Sequence, residues 1–148
     1  MERVLELAGI GWLDVCSYHF YRTGKPETRT PDEVGELRLL LQHFGLKCPI
    51  WVTETGVTSN FKEGVSEETQ AAYFARQILL LVGAGVDRVF PFTLVDNPSD
   101  PGGAWGCQLG LVTLDKRKKP AFFAYRTLID ELDYFELIGQ VDLGENVQ

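Results

Sequence analysis

"PIWVTETGV", residues 49–57, decides how this chain reads. Ile50, Trp51, Val52 and Thr53 are strand formers, and the apolar run stops at Glu54, Thr55 and Gly56. A carboxylate at the exit of a buried strand is costly unless something uses it. The same kind of run recurs on either side, as WLDVCSYHF (12–20) and RVFPFTLVD (88–96). The three runs start ~37 residues apart, the length of a strand followed by a helix.

The intervening segments carry helix signals. In TPDE, Thr30 can cap, Pro31 suits the first helical position and Glu33 completes a capping box. Val34, Leu37, Leu40, Leu41 and Phe44 then follow helical spacing, and Gly45 stops it. The second helix starts at Ser66, with Glu67 and Glu68 at its positive end. Its expected buried stripe is Phe74, Ala75, Ile78, Leu81 and Val82, ending at Gly83 and Gly85. A last helix starts near Pro120 and carries Phe122, Tyr125, Leu128, Ile129 and Leu132. Pro91 inside the third strand implies a bulge or an edge position.

Strands alternating with helices predict an α/β fold with a parallel sheet. The strands read as apolar on both faces, as a sheet covered on both sides requires. Helix-to-strand connections are short (45–49 and 83–87), whereas strand-to-helix connections are long (21–30, 55–65 and 97–118). In α/β folds the C-terminal ends of the strands carry function, and Glu54 stands at that end.

Composition narrows the classes. The chain has 148 residues, 45% hydrophobic and 24% charged, with net charge -7. That is enough for one modest domain and argues against a nucleic-acid partner, which needs a basic face. The basic cluster Lys116-Arg117-Lys118-Lys119 reads as a solvated turn before a helix. No apolar run reaches the ~18 residues of a membrane span. Cys16, Cys48 and Cys107 have no CxxC spacing, and the two histidines, His19 and His43, show no HExxH pattern. Neither a disulfide framework nor a zinc site is expected, and no metal or other cofactor is implied. Cys16 reads as a small core residue. No signal peptide is legible at Met1, but the N-terminus reads as cut, so no compartment follows.

His19 and Tyr21, two apart at the exit of the first strand, can point the same way. Glu54 closes the second strand, Asp96 and Asn97 close the third, and Trp105 lies in the following loop, NPSDPGGAWGCQLG. A carboxylate, a His/Tyr pair, an Asp and a Trp on one rim suit a sugar, with hydroxyls for the polar groups and ring faces for the aromatics. A retaining glycosidase needs a carboxylate nucleophile and a second carboxyl group about 5–5.5 Å away.

Four segments in order carry a resemblance: DVCSYHFY, PIWVTETGV, SEETQAAYFARQILLLVGAGVDRVFPFTLVD and LGLVTLDKRKKPAFFAYRTL. Together they resemble the clan A glycoside hydrolases, which include cellulases and β-xylosidases built on (β/α)₈ TIM barrels. The resemblance covers nearly the whole chain but only the C-terminal part of such a barrel. It implies the sixth to eighth βα units over residues 1–133, with the first residues ending the fifth helix. It places Glu54 at the nucleophile position of the seventh strand, and His19 and Tyr21 at the sixth-strand pair lining the sugar site. Asp96 and Trp105 are expected to help bind a glycoside, an oligosaccharide or a polysaccharide.

The resemblance also breaks in places. The clan's acid/base is a Glu, usually after Asn, at the end of the fourth strand; no Asn-Glu pair occurs here. Glu63, Glu67 and Glu68 read as capping or solvated residues. Many clan members place a Trp near the end of the eighth strand, where this chain has FPFTLVD; Phe92 or Trp105 is the expected substitute. Residues 134–148 read as the start of a following β domain or as a tail. The chain is therefore expected to be a fragment, inactive alone for want of the acid/base, and prone to self-association through open barrel edges. Two other classes remain open: a non-catalytic or degenerate carbohydrate-binding barrel piece, and a small open α/β nucleotide-binding domain. The latter lacks a Gly-rich phosphate loop after a strand.

Overall fold

The computed structural model describes residues 2–8, 12–21, 24–28, 30–59, 64–97 and 108–133. Cys107, Glu63, Trp105 and the segment 134–148 lie outside the described residues. The elements run α1 (Glu2–Ala8), β1 (Cys16–Tyr21), α2 (Thr30–His43), β2 (Ile50–Gly56), α3 (Glu67–Gly83), β3 (Arg88–Pro91) and α4 (Pro120–Leu132). The strands form one sheet in the order β1-β2-β3, and both pairings are parallel.

The local signals act as their chemistry dictates. The Ser66 hydroxyl caps α3 by accepting the Thr69 N–H at 3.2 Å. Gly45 and Gly85 take positive φ (69° and 86°) just beyond α2 and α3, a conformation that other residues adopt at a cost. Thr30 departs from its expected capping place: it is the first residue of α2, and its hydroxyl donates to the Pro26 carbonyl, tying the start of the helix to the preceding turn.

Two apolar clusters hold the layers together. Cys16, Phe20, Ile50 and Val52 of the sheet pack against Val34 and Leu41 of α2, Leu81 of α3 and Leu5 of α1. Ala71, Phe74 and Ile78 of α3 pack with Ala121 of α4 and with Val57 and Leu111 of the segments after β2 and before α4. The stripe expected on α4 is only half buried: Ile129 and Leu132 are exposed and line an open groove with Val82.

Two expectations are corrected. The third strand ends at Pro91 rather than at residue 96; Pro91 cannot donate to the ladder, the Phe92–Thr93 peptide is cis, and the chain turns away, with Val95 making an isolated bridge to Val112. The sheet is also not apolar on both faces. Cys16, Phe20, Ile50 and Val52 face the helices, while Ser17, His19, Trp51, Thr53 and Phe90 lie half or fully exposed along the strands. The long connections stand on the C-terminal side, where β1, β2 and β3 are followed by 22–29, 57–66 and 92–119.

Candidate functional site

The position of Glu54 is fixed by a fault in the ladder. Cys16, Ser17 and Tyr18 pair with Ile50, Trp51 and Val52, but His19 then pairs with Glu54 and Tyr21 with Gly56. One extra residue, Thr53, has been inserted into β2. Strand side chains alternate, so without the insertion Thr53 and Glu54 would face opposite sides. With it, Thr53 hydrogen-bonds Ser17 on the open face at 2.7 Å, and Glu54 reaches the side chains of His19 and Tyr21. Bulges re-aim side chains in this way beside active sites.

The result is a cluster at the strand ends. Tyr21 donates its phenol proton to Glu54 Oε2 at 2.9 Å, and His19 Nδ1 lies 3.2 Å from the same oxygen. His19 and Glu54 remain open to solvent, with side chains 57% and 31% exposed. Burial first, then the hydrogen bond to Glu54 and its charge, push the Tyr21 phenol well above its usual range. It therefore stays a donor throughout neutral pH. Phe92 stands beside the cluster, 42% exposed and edge-on to Tyr21, with ring centroids 6.5 Å apart.

Gly56 is needed for this rim to close. The Phe92 N–H donates to the Thr55 carbonyl at 2.8 Å, and a Cβ at position 56 would lie 2.4 Å from the Phe92 carbonyl oxygen. The glycine two residues after Glu54 thus lets the Phe92 backbone approach.

Asp96 goes elsewhere. It is buried, and its Oδ1 accepts Lys119 Nζ and the Gly110 N–H, each at 2.8 Å. A Cβ on Gly110 would collide with Asp96, so the two are fitted to one another. Lys119 also donates to Ser59 at 3.1 Å and to the Gln108 carbonyl at 3.4 Å. This cluster joins the exit of β2, the start of α4 and both ends of the segment between Asp96 and Gln108. The basic run is accordingly corrected in part: Lys116, Arg117 and Lys118 are solvated, but Lys119 is buried because it neutralises Asp96. Trp105 lies outside the described residues.

Sequence reasoning missed the buried glutamines of α3. Gln70 Nε2 donates to the carbonyls of Val57 (2.7 Å) and Gln108 (3.1 Å); Gln77 Nε2 donates to Thr55 Oγ1 (2.7 Å) and the Phe20 carbonyl (3.4 Å). The signal was present: 70 and 77 fall on the same helical stripe as 74, 78 and 81, where amides are out of place. Among the described residues no group of three His, Cys, Asp or Glu side chains is placed to hold a metal ion, and no helix is long and apolar enough to cross a membrane.

No protein-family model and no curated protein matches the chain. Solved structures do. A family 39 glycoside hydrolase from Bacteroides cellulosilyticus WH2 superposes with a TM-score of 0.71 at 23% identity, over 89% of this chain and 30% of that one. A GH2 β-galacturonidase from Eisenbergiella tayi, solved with galacturonate, gives 0.66 at 22% identity over 82% of this chain and 24% of its own. A β-glucuronidase from Faecalibacterium prausnitzii gives 0.65 at 20% identity over 84% and 23%. The chain thus spans 23–30% of the length of these structures, and the similarity is one of fold, shared with a segment of each of these solved glycoside hydrolases.

Proposed function

We propose that these residues are the sixth, seventh and eighth βα units of a (β/α)₈ retaining glycoside hydrolase that cleaves β-glycosidic bonds, with Glu54 as its nucleophile. The observation that carries this reading is the convergence of Tyr21 and His19 on Glu54 Oε2 at the C-terminal ends of parallel strands. A phenol proton held on one carboxylate oxygen fixes the orientation of Glu54 and leaves Oε1 for an anomeric carbon.

In the first step a Glu54 oxygen bonds to the anomeric carbon as the bond to the leaving oxygen breaks, and a general acid gives that oxygen its proton. In the second, the same group takes a proton from water, water attacks the anomeric carbon, and the ester to Glu54 is released. Among the carboxylates that follow the strands, Asp96 is engaged with Lys119, Glu67 with Arg117 and Glu27 with Arg76. We assign the acid/base to a part of the enzyme beyond these residues, so the 148 residues alone would not turn over. His19 and Tyr21 hold Glu54 and line the sugar site. Phe92 offers the apolar surface that Trp105 was expected to share. Asp96 acts through the loop it anchors.

The test uses the intact enzyme and aryl β-glycosides. Glu54→Gln should lower kcat by about 10⁴-fold or more, the scale of removing a covalent nucleophile. Glu54→Ala should regain turnover of aryl β-glycosides with azide, which takes the vacated place, attacks the anomeric carbon directly as the aryloxide leaves, and gives the inverted α-glycosyl azide. A 2-deoxy-2-fluoro glycoside should leave its mass on the peptide containing Glu54. Normal turnover by Glu54→Gln would refute the assignment, and a fully folded enzyme that binds sugars without hydrolysing them would favour a carbohydrate-binding role.

A further inference from the structure

Gln77 sits in the middle of α3, 1% exposed, among Phe74, Ile78 and Leu81. An apolar side chain would fill that place, and burying an amide is costly unless its hydrogen bonds are made. Its two acceptors are informative. Thr55 follows Glu54 in β2, and Phe20 lies between His19 and Tyr21 in β1. Phe20 and Thr55 are register partners, the first covered pair after the inserted Thr53. The Thr55 carbonyl in turn accepts the Phe92 N–H. One amide therefore reaches, from behind the sheet, the two backbone positions that aim Glu54, His19 and Tyr21 out of its front. A ladder interrupted by a bulge has lost part of its own constraint at that level.

We propose that Gln77 is a positioning residue, whose bonds to Thr55 and Phe20 lock the shifted register of β2 so that Glu54 meets Tyr21 and His19. This rests on the reading of Glu54 as nucleophile. Gln77 touches no substrate; it acts through Thr55 and the β1 backbone.

The experiment compares Gln77→Met, which keeps the volume but loses the donors, and Thr55→Val, which removes the hydroxyl alone, in the intact enzyme. Turnover is read on a p-nitrophenyl β-glycoside. The Tyr21 phenol is titrated by ultraviolet difference absorbance against Tyr21→Phe, a readout that needs no turnover. Both variants should lower kcat by roughly 10- to 10²-fold with KM within about twofold, the scale of a small misplacement of a reacting group. In both, Tyr21 should titrate at lower pH than in the parent, as it should in Glu54→Gln. The double variant should be no worse than Gln77→Met alone, because that variant has already lost the bond to Thr55. A loss of melting temperature with kcat and the Tyr21 titration unchanged would overturn the proposal and leave Gln77 a packing residue. Should Gln77→Met fail to fold, Thr55→Val decides by the same two readouts. Active Glu54→Gln would instead sink the nucleophile reading, while the Tyr21 titration would still report whether Gln77 sets the contact.

Discussion

Replacing Asp96 by alanine should unbalance the fold more than any other single change outside the apolar core. Lys119 is 1% exposed and Asp96 10%, with Nζ and Oδ1 2.8 Å apart. Removing the carboxylate leaves an ammonium whose remaining partners among the described residues are the Ser59 hydroxyl and the Gln108 carbonyl, and takes the acceptor from the Gly110 N–H. Stranding one member of a buried ion pair costs about 3–5 kcal/mol, and an unsatisfied buried donor about 1–3 kcal/mol. A loss of about 4 kcal/mol or more is expected, a large share of the roughly 5–15 kcal/mol that holds a domain. Removing both charges, as Asp96→Leu with Lys119→Met, leaves no uncompensated ion and should cost no more than about 1–3 kcal/mol. Urea unfolding followed by tryptophan fluorescence measures both variants against the parent. With a slope of about 1–3 kcal/mol per molar, Asp96→Ala should lower the midpoint by more than about 1 M, and the double variant should recover part of it. If Asp96→Ala cost less than about 1 kcal/mol, or the double variant were the worse of the two, the pairing would not govern this region.

Other consequences are checkable. Gly56→Ala drives a Cβ into the Phe92 carbonyl oxygen and should cost about 1–3 kcal/mol, as overpacking does; calorimetry reads it, and on the proposed function turnover of aryl glycosides should fall with it. Tyr21 has its folded pKa raised, so its contribution to stability is complete below its ordinary value, near about 10, and is lost as pH rises towards the folded value. Alkaline unfolding should therefore flatten in Tyr21→Phe, and an unchanged profile would contradict the Tyr21–Glu54 bond. Glu67 is lowered by its hydrogen bond to Arg117, so its contribution is present above the usual Glu range and is lost as pH falls through the folded value. Arg117→Gln should remove that acid sensitivity in pH-dependent melting.

What the sequence determined by itself was periodic and local. The alternation of strand-like and helical runs, the cap at Ser66 and the left-handed glycines at 45 and 85 follow from neighbours within a few residues, so a single pass along the chain finds them. The resemblance carried Glu54, His19 and Tyr21 to one end of one sheet, because the strand ends were legible. The tertiary structure decided how they meet. Glu54 reaches Tyr21 and His19 because Thr53 is inserted opposite β1, and a register shift is a relation between two strands that neither contains alone. Asp96 turned inward for the same reason. Its neighbours in sequence, Asn97 and the Gly- and Pro-rich loop, suggest an exposed turn, but Lys119 and Gly110 supply a cation and a backbone donor from farther along the chain. Gln77 shows the limit most plainly: its place on an apolar stripe marks it as unusual, while the strands it ties together are set only when helix and sheet pack.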